Sequence, residues 1–239
     1  MENTTNQNER IDQMAAKLNL IEQYLFKLAK EGTDKPTDAN NTEFIEQYLA
    51  DVSDMAKKID RNEINKAINI LFDAWKNDKH VYFMGCGGSA GTASHFAADL
   101  SKTTMCKGKK RFKSISLVDN PSLMLAWIND EGWENVFVGQ IENFMQPGDV
   151  VVGLSVHGGS GKGNALAWSQ NLTKAMQYVK DNGGKAIGIA GFDGGAFKEL
   201  GDACIIAPKD STPLVEGFHC DIQHLIIFKL KEMIANYKE

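Results

Sequence analysis

No apolar run in this 239-residue chain reaches the ~20 residues needed to cross a bilayer, so no membrane partner is expected. The amino terminus, MENTTNQNERIDQ, is polar and lacks the apolar region of a secretory signal. Cys86, Cys106, Cys204 and Cys220 form no CxxC pair and read as reduced thiols of a cytoplasmic protein. An excess of basic residues is missing too. A net charge of -5 gives no bulk reason for nucleic-acid binding, and no nucleic-acid partner is expected. What remains, 43% hydrophobic and 24% charged, suits one large soluble domain or one domain with an appendage.

Up to residue 78 the pattern is helical. Ile11, Met14, Ala15, Leu18, Ile21, Leu25 and Leu28 form a stripe at three- and four-residue steps over 10–31. EGTDKPTDANNT then breaks the pattern as a linker does. Two further helices are expected over 42–58 and 62–77, the second with Ile64, Ala67, Ile68, Leu71 and Trp75 on one side. Three helices ahead of any strand suggest a bundle packed on the main domain or on another subunit, and oligomer contacts are favoured. The expected division is therefore a helical extension and linker over 1–41 and a main domain over 42–239.

From residue 79 five short apolar runs follow: HVYFMG, SISLVD, DVVVGLS, KAIGIAG and ACIIAP. Near-continuous apolar strands imply burial on both faces of a parallel sheet. Helical segments over 89–102, 121–144 (broken), 161–182 and 213–237 separate most of them. The pattern predicts an α/β fold, a three-layer doubly wound sandwich with a five-stranded parallel sheet, preceded by the amino-terminal helices. Ligands in such folds sit beyond the carboxyl ends of the strands, at loops 85–89, 119–121, 155–160 and 191–195.

Two of these loops share a chemistry. GCGGS follows the first strand and SVHGGSGKGN the third, and each opens a helix. Glycines let backbone N–H groups approach an anion, serines donate hydrogen bonds, and a helix amino end adds partial positive charge. Neither loop has the Walker A frame, and GCGGSAG lacks the spacing of the dinucleotide fingerprint. A phosphorylated small molecule fits better than ATP or NAD. Glycine-rich turns are also plain connectors; two in one sheet favour the anion reading.

His95 and Asp99 stand four apart on a predicted helix, so both side chains share one face. The same spacing serves surface ion pairs and buried hydrogen bonds. Glu216, Cys220 and His224 make an i, i+4, i+8 row that drifts roughly 80° over two turns. His219 lies roughly 140° around the helix from His224 and reads as backing the site or as a subunit contact. His80 reads as structural, and Trp127, Trp133 and Trp168 as packing.

GCGGSAGTASHFAADL, SLVDNPS, INDEGWENVFVGQIE, PGDVVVGLSVHGGS, GIAGFDGG and EGFHCDIQHLI resemble, in order and spacing, the sugar isomerase (SIS) domain, and within it the phosphoheptose isomerases. The resemblance runs from about residue 42 to 235. It implies a flavodoxin-like SIS fold and a phosphosugar aldose–ketose isomerase, with sedoheptulose 7-phosphate going to heptose 7-phosphate through an enediol. A different phosphosugar is one alternative; a non-catalytic binding or scaffold protein, like the SIS protein that associates with the replication initiator, is another. The implied substrate and phosphate contacts are Gly87, Gly88, Ser89, Asp119, Asn120, Ser155, His157 and Ser160. The implied zinc ligands, one ion per active site, are His95, Asp99, Glu216 and His224. Asp99 is the implied base and His224 the acid, with Glu216 as alternative base and Asp130 near the reacting centre. The family also implies a homotetramer whose active sites lie between subunits.

The sequence departs from the family pattern at several of these positions. Cys86 stands for an asparagine, Val156 and His157 for a threonine and a serine. Asp99 stands for a longer glutamate, and Glu216 for a glutamine, which should tighten metal binding.

Overall fold

The computed structural model describes residues 41–159 and 169–238; the helix expected over 10–31, Ser160 and Trp168 lie outside them. Five strands, β1 (His80–Gly85), β2 (Lys113–Ser116), β3 (Val150–Leu154), β4 (Lys185–Ala190) and β5 (Ala203–Ile206), form one sheet. Its order is β2-β1-β3-β4-β5 and every neighbouring pair is parallel. All of β3 is buried, as is β1 after His80, which is why both read as unbroken apolar runs.

The helices are α1 (Thr42–Lys58), α2 (Arg61–Lys76), α3 (Gly88–Lys102), α4 (Pro121–Glu131), α5 (Val138–Glu142), α6 (Gln170–Asp181), α7 (Phe197–Leu200) and α8 (Thr212–Asn236). The segment expected to be a broken helix over 121–144 is α4, a single 3-10 turn at Trp133–Asn135, and α5. None of the described helices is long and apolar enough to cross a membrane.

Three layers result. On one face of the sheet Leu71 and Trp75 of α2, Phe96 of α3 and Ile226 of α8 pack with Phe83 and Val152. On the other, Phe137, Met176 of α6 and Phe197 of α7 pack with Tyr82 and Met84. Each of these buried side chains contributes about 1.5–3 kcal/mol of transfer free energy.

Helix α2 is thus a layer of the sandwich. Asp60 caps it by accepting from the Asn62 amide at 2.7 Å, and its apolar stripe lies against β5 and α8. Periodicity marks which face of a helix must be covered but not what covers it, so a bundle and a sandwich layer look alike in sequence.

His80 sits at the amino edge of β1 against Asp149. That fully buried carboxylate accepts from the amides of His80 and Gln146, both at 2.9 Å, and from the Tyr82 hydroxyl at 3.3 Å. The charge is compensated by donors, as burial demands.

Strand β1 pairs with β2 on one side and β3 on the other, so the winding reverses between β1 and β3. Gly85, the last residue of β1, is in register with Leu154, the last of β3. The two glycine loops therefore leave the sheet side by side at the switch point, where α/β sheets bind ligands.

Candidate active site

Beyond β1 the chain turns through Cys86 and Gly87 into α3. Gly87 is the N-cap at φ 60°, and no side chain caps this end. The first-turn amides and the helix dipole are thereby left facing the switch point. Ser89 is buried beneath the turn. Cys86 Sγ accepts from Asn171 Nδ2 of α6 at 3.5 Å, and burial pushes the Cys86 thiol up.

The loop after β3 folds back on itself. Gly158 N donates to Ser155 O and Gly159 N to Ser155 Oγ, both at 3.1 Å. Gly158, at φ 66°, lies so close to Gly194 that a Cβ there would stand 1.9 Å from the Gly194 carbonyl oxygen. Only glycine fits this position. Val156 points into the core, whereas His157 is exposed with its ring 4.3 Å from that of Phe192.

The acids and imidazoles gather in a groove between α3 and α8. Both helices start at the carboxyl edge of the sheet and run side by side. Asp99 Oδ2 lies 3.2 Å from His95 Nε2 and 3.6 Å from His224 Nε2. The same oxygen accepts from Gln223 Nε2 at 3.2 Å, and Asp99 Oδ1 accepts from Thr103 Oγ1 at 2.9 Å. The two imidazoles meet edge to face with centroids 5.0 Å apart. Cys220 Sγ stands 3.9 Å from His95 Nδ1 and 4.0 Å from His224 Nδ1. Burial, then the charges of Asp221 and Asp99, push the Cys220 thiol up.

Fit for a divalent metal is a matter of donor chemistry. Sγ of Cys220 and a ring nitrogen from each of His95 and His224 lie within 4.8 Å of one another. Two imidazoles and a thiol suit zinc or a neighbouring d-block ion. The groove is open: the side chains of His95 and His224 are 46% and 44% exposed.

The described residues predicted from sequence fall into five places. His95, Asp99 and His224 come together in the groove. Glu216 stands at the head of the groove, against the first residue of α3, where a Cβ on Gly88 would lie 2.4 Å from Glu216 Oε1. The positive end of the α3 dipole favours that carboxylate. Gly87, Gly88, Ser89, Ser155 and His157 belong to the switch-point loops. Asp119 and Asn120 follow β2, where Asn120 caps α4 by accepting from the Leu123 amide at 3.1 Å. Asp130 is exposed near the end of α4, accepts from Asn129 at 2.7 Å, and forms no ion pair with the groove histidines.

Gln223 and Thr103 escaped the sequence reading. Gln223 is fully buried amid apolar neighbours on α8, and a lone amide in an apolar stripe was the available signal. Thr103 follows Asp99 by four residues, one turn, and no feature of the sequence marks it. His219 is 1% exposed, with Nε2 3.1 Å from the Ala190 carbonyl oxygen at the end of β4. It is therefore tied to its own sheet.

Known proteins share the sequence pattern and the fold. The SIS domain family matches residues 44–191. A phosphoheptose isomerase of a Nitratiruptor species is 37% identical over 172 residues, 72% of this chain and 87% of that protein. The lincomycin biosynthesis protein LmbN of Streptomyces lincolnensis is 36% identical over 186 residues, 76% of this chain and 66% of that protein. Among solved structures, phosphoheptose isomerase GmhA from Neisseria gonorrhoeae superposes with a TM-score of 0.68 at 22% identity, covering 80% of this chain and 96% of that one. With the parallel sheet, the paired glycine loops and these relatives in view, this chain belongs to the SIS domain family.

Proposed function

We propose that this chain is a sugar-phosphate isomerase that interconverts an aldose and a ketose phosphate, with sedoheptulose 7-phosphate as ketose and heptose 7-phosphate as aldose. Relatives named phosphoheptose isomerase support the substrate class. The observation that carries the reading is the meeting of Asp99, His95 and His224 in a groove that starts at the two glycine loops.

Phosphate binds at the α3 amino end and at residues 155–159, on backbone amides and hydroxyls. A rise of 1.5 Å per residue puts His95 about 10 Å along α3 from Gly88. That separation is of the order of an extended sugar phosphate, so the carbonyl end reaches the groove while the phosphate stays at the loops. Fixing both ends holds C1 and C2 in reacting geometry.

Asp99 takes the C1 proton of the ketose, and the electron pair forms the C1–C2 double bond of an enediol as O2 gains a proton. His224 passes protons between O1 and O2. Return of a proton to C2 and loss of one from O1 give the aldose, with no net gain or loss of atoms. Glu216, the other candidate base, stands at the loop end of the groove, on the phosphate side, which leaves the proton at C1 to Asp99. A zinc ion, one per site, would be held chiefly by His95 and His224, with Asp99 beside them and Glu216 towards the loop end, and would polarise the carbonyl oxygen.

The proposal extends to a homotetramer with active sites between subunits. Its support is the open groove and the exposed Leu225 (50%) and Phe228 (61%) beside His224 on α8. A cytoplasmic setting rests on the four free cysteines. Loss of donors at Val156 and the tilted ring contact of His157 with Phe192 favour, as second reading, a different phosphosugar.

The test is incubation of metal-loaded and chelated protein with sedoheptulose 7-phosphate while aldose formation is followed. Turnover is expected, with Asp99→Asn and His224→Ala each losing it while remaining folded. No turnover in either state would overturn the assignment.

A further inference from the structure

The two imidazoles in the groove have two sides, and different groups face each. Asp99 lies on the Nε2 side of both rings, at 3.2 and 3.6 Å. Cys220 Sγ lies on the Nδ1 side of both, at 3.9 and 4.0 Å. An imidazole that donates from Nε2 to a carboxylate keeps its lone pair on Nδ1. The carboxylate thus selects the tautomer whose free nitrogen points at the thiol.

Asp99 is already engaged as an acceptor. Thr103 donates to one oxygen and Gln223 to the other, which also faces both histidines. Moving Asp99 into a metal shell would strip these donors of their partner. Glu216 is drawn aside to the α3 amino end.

We infer that His95 Nδ1, His224 Nδ1 and Cys220 Sγ form a thiolate-containing site for one divalent d-block cation of the zinc class. Asp99 orients both rings from the opposite side. In a tetrahedral shell with bonds of about 2.0–2.3 Å, neighbouring donors stand about 3.3–3.6 Å apart. The sulfur–nitrogen distances here need close by only a few tenths of an ångström. Three protein donors leave the fourth position to water or a substrate oxygen, the pattern of catalytic rather than structural sites. Binding releases the Cys220 thiol proton, since the thiolate is the ligand. The inference rests on the isomerase reading for the purpose of the ion, and a metal-loaded His224 then holds the ion instead of passing protons.

Titration of the apoprotein with Co²⁺ tests it. One ion per chain is expected, with a sulfur-to-cobalt charge-transfer band in the near ultraviolet. Cys220→Ser should abolish the band, and so should His95→Gln, at a half-exposed position where folding is safe. Asp99→Asn should keep the band while affinity falls about 10–100-fold, the usual effect of losing a carboxylate behind a ligating histidine. Far-ultraviolet circular dichroism confirms that each variant is folded. Cobalt bound without the band, a band that survives Cys220→Ser in folded protein, or no cobalt bound at all would overturn the site. Turnover of sedoheptulose 7-phosphate by the same zinc-loaded samples separates the two readings. A band without turnover keeps the metal site and removes the isomerase; turnover without a band does the reverse.

Discussion

Asp99 shows how far single residues could be read. Its pairing with His95 follows from a four-residue spacing, which helix geometry turns into one shared face. Its contacts with His224 and Gln223 join residues more than 120 positions apart, and only the packing of α3 on α8 creates them. His219 makes the same point. A histidine on an otherwise apolar face reads equally well as a site residue or a core residue, and burial decides. Burial lowers its pKa from 6.5 to about 4, against the opposing pull of the Ala190 carbonyl. The folded protein keeps His219 neutral where the unfolded chain protonates it, so stability is full above pH 6.5 and falls as pH drops towards 4. That gap corresponds to about 3 kcal/mol. Urea unfolding at pH 7 and pH 4 should show this loss, and His219→Gln, which keeps a donor for Ala190, should flatten it.

At the scale of elements, the strands were legible because a parallel sheet buried on both faces writes itself as short apolar runs. The glycine loops were legible too, since their backbones admit few residues. What covers an amphipathic helix was not legible, and α2 therefore turned out to be a sandwich layer. The roles within the loop after β3 also needed coordinates: Val156 faces the core and His157 the solvent, a distinction that alternation along an irregular loop cannot supply. Gly158 carries the sharpest expectation here. Alanine would meet left-handed backbone strain of about 1–3 kcal/mol, and overlap with the Gly194 carbonyl adds a similar amount. Gly158→Ala should therefore lower stability by about 2–6 kcal/mol. Phosphosugar affinity should fall with it, as the loop after β3 is pushed away from the loop after β4. Thermal unfolding and calorimetric titration with a sugar phosphate check both halves.

At the scale of the whole molecule, the reversal of winding between β1 and β3 brings both loops to one crevice, and α3 and α8 carry the reactive groups away from it along a common groove. A sequence holds this only implicitly, through the order of its strands. It holds nothing about a second copy of the chain, yet the groove is open and apolar side chains flank it. Phe228 stands one turn beyond His224 on the same face, so a subunit covering it also closes over the imidazoles, while Leu225 lies about 100° around the helix. Burying the half of each side chain that is still exposed contributes about 1.5–3 kcal/mol per interface. Leu225→Lys with Phe228→Lys should weaken association by on the order of 10–10²-fold. Light scattering should then show the tetramer proposed for the wild type replaced by smaller species of unchanged helical content. Turnover should fall with assembly and return as protein concentration rises. A variant that stays tetrameric, or a monomer as active as wild type, would place the active site within one chain.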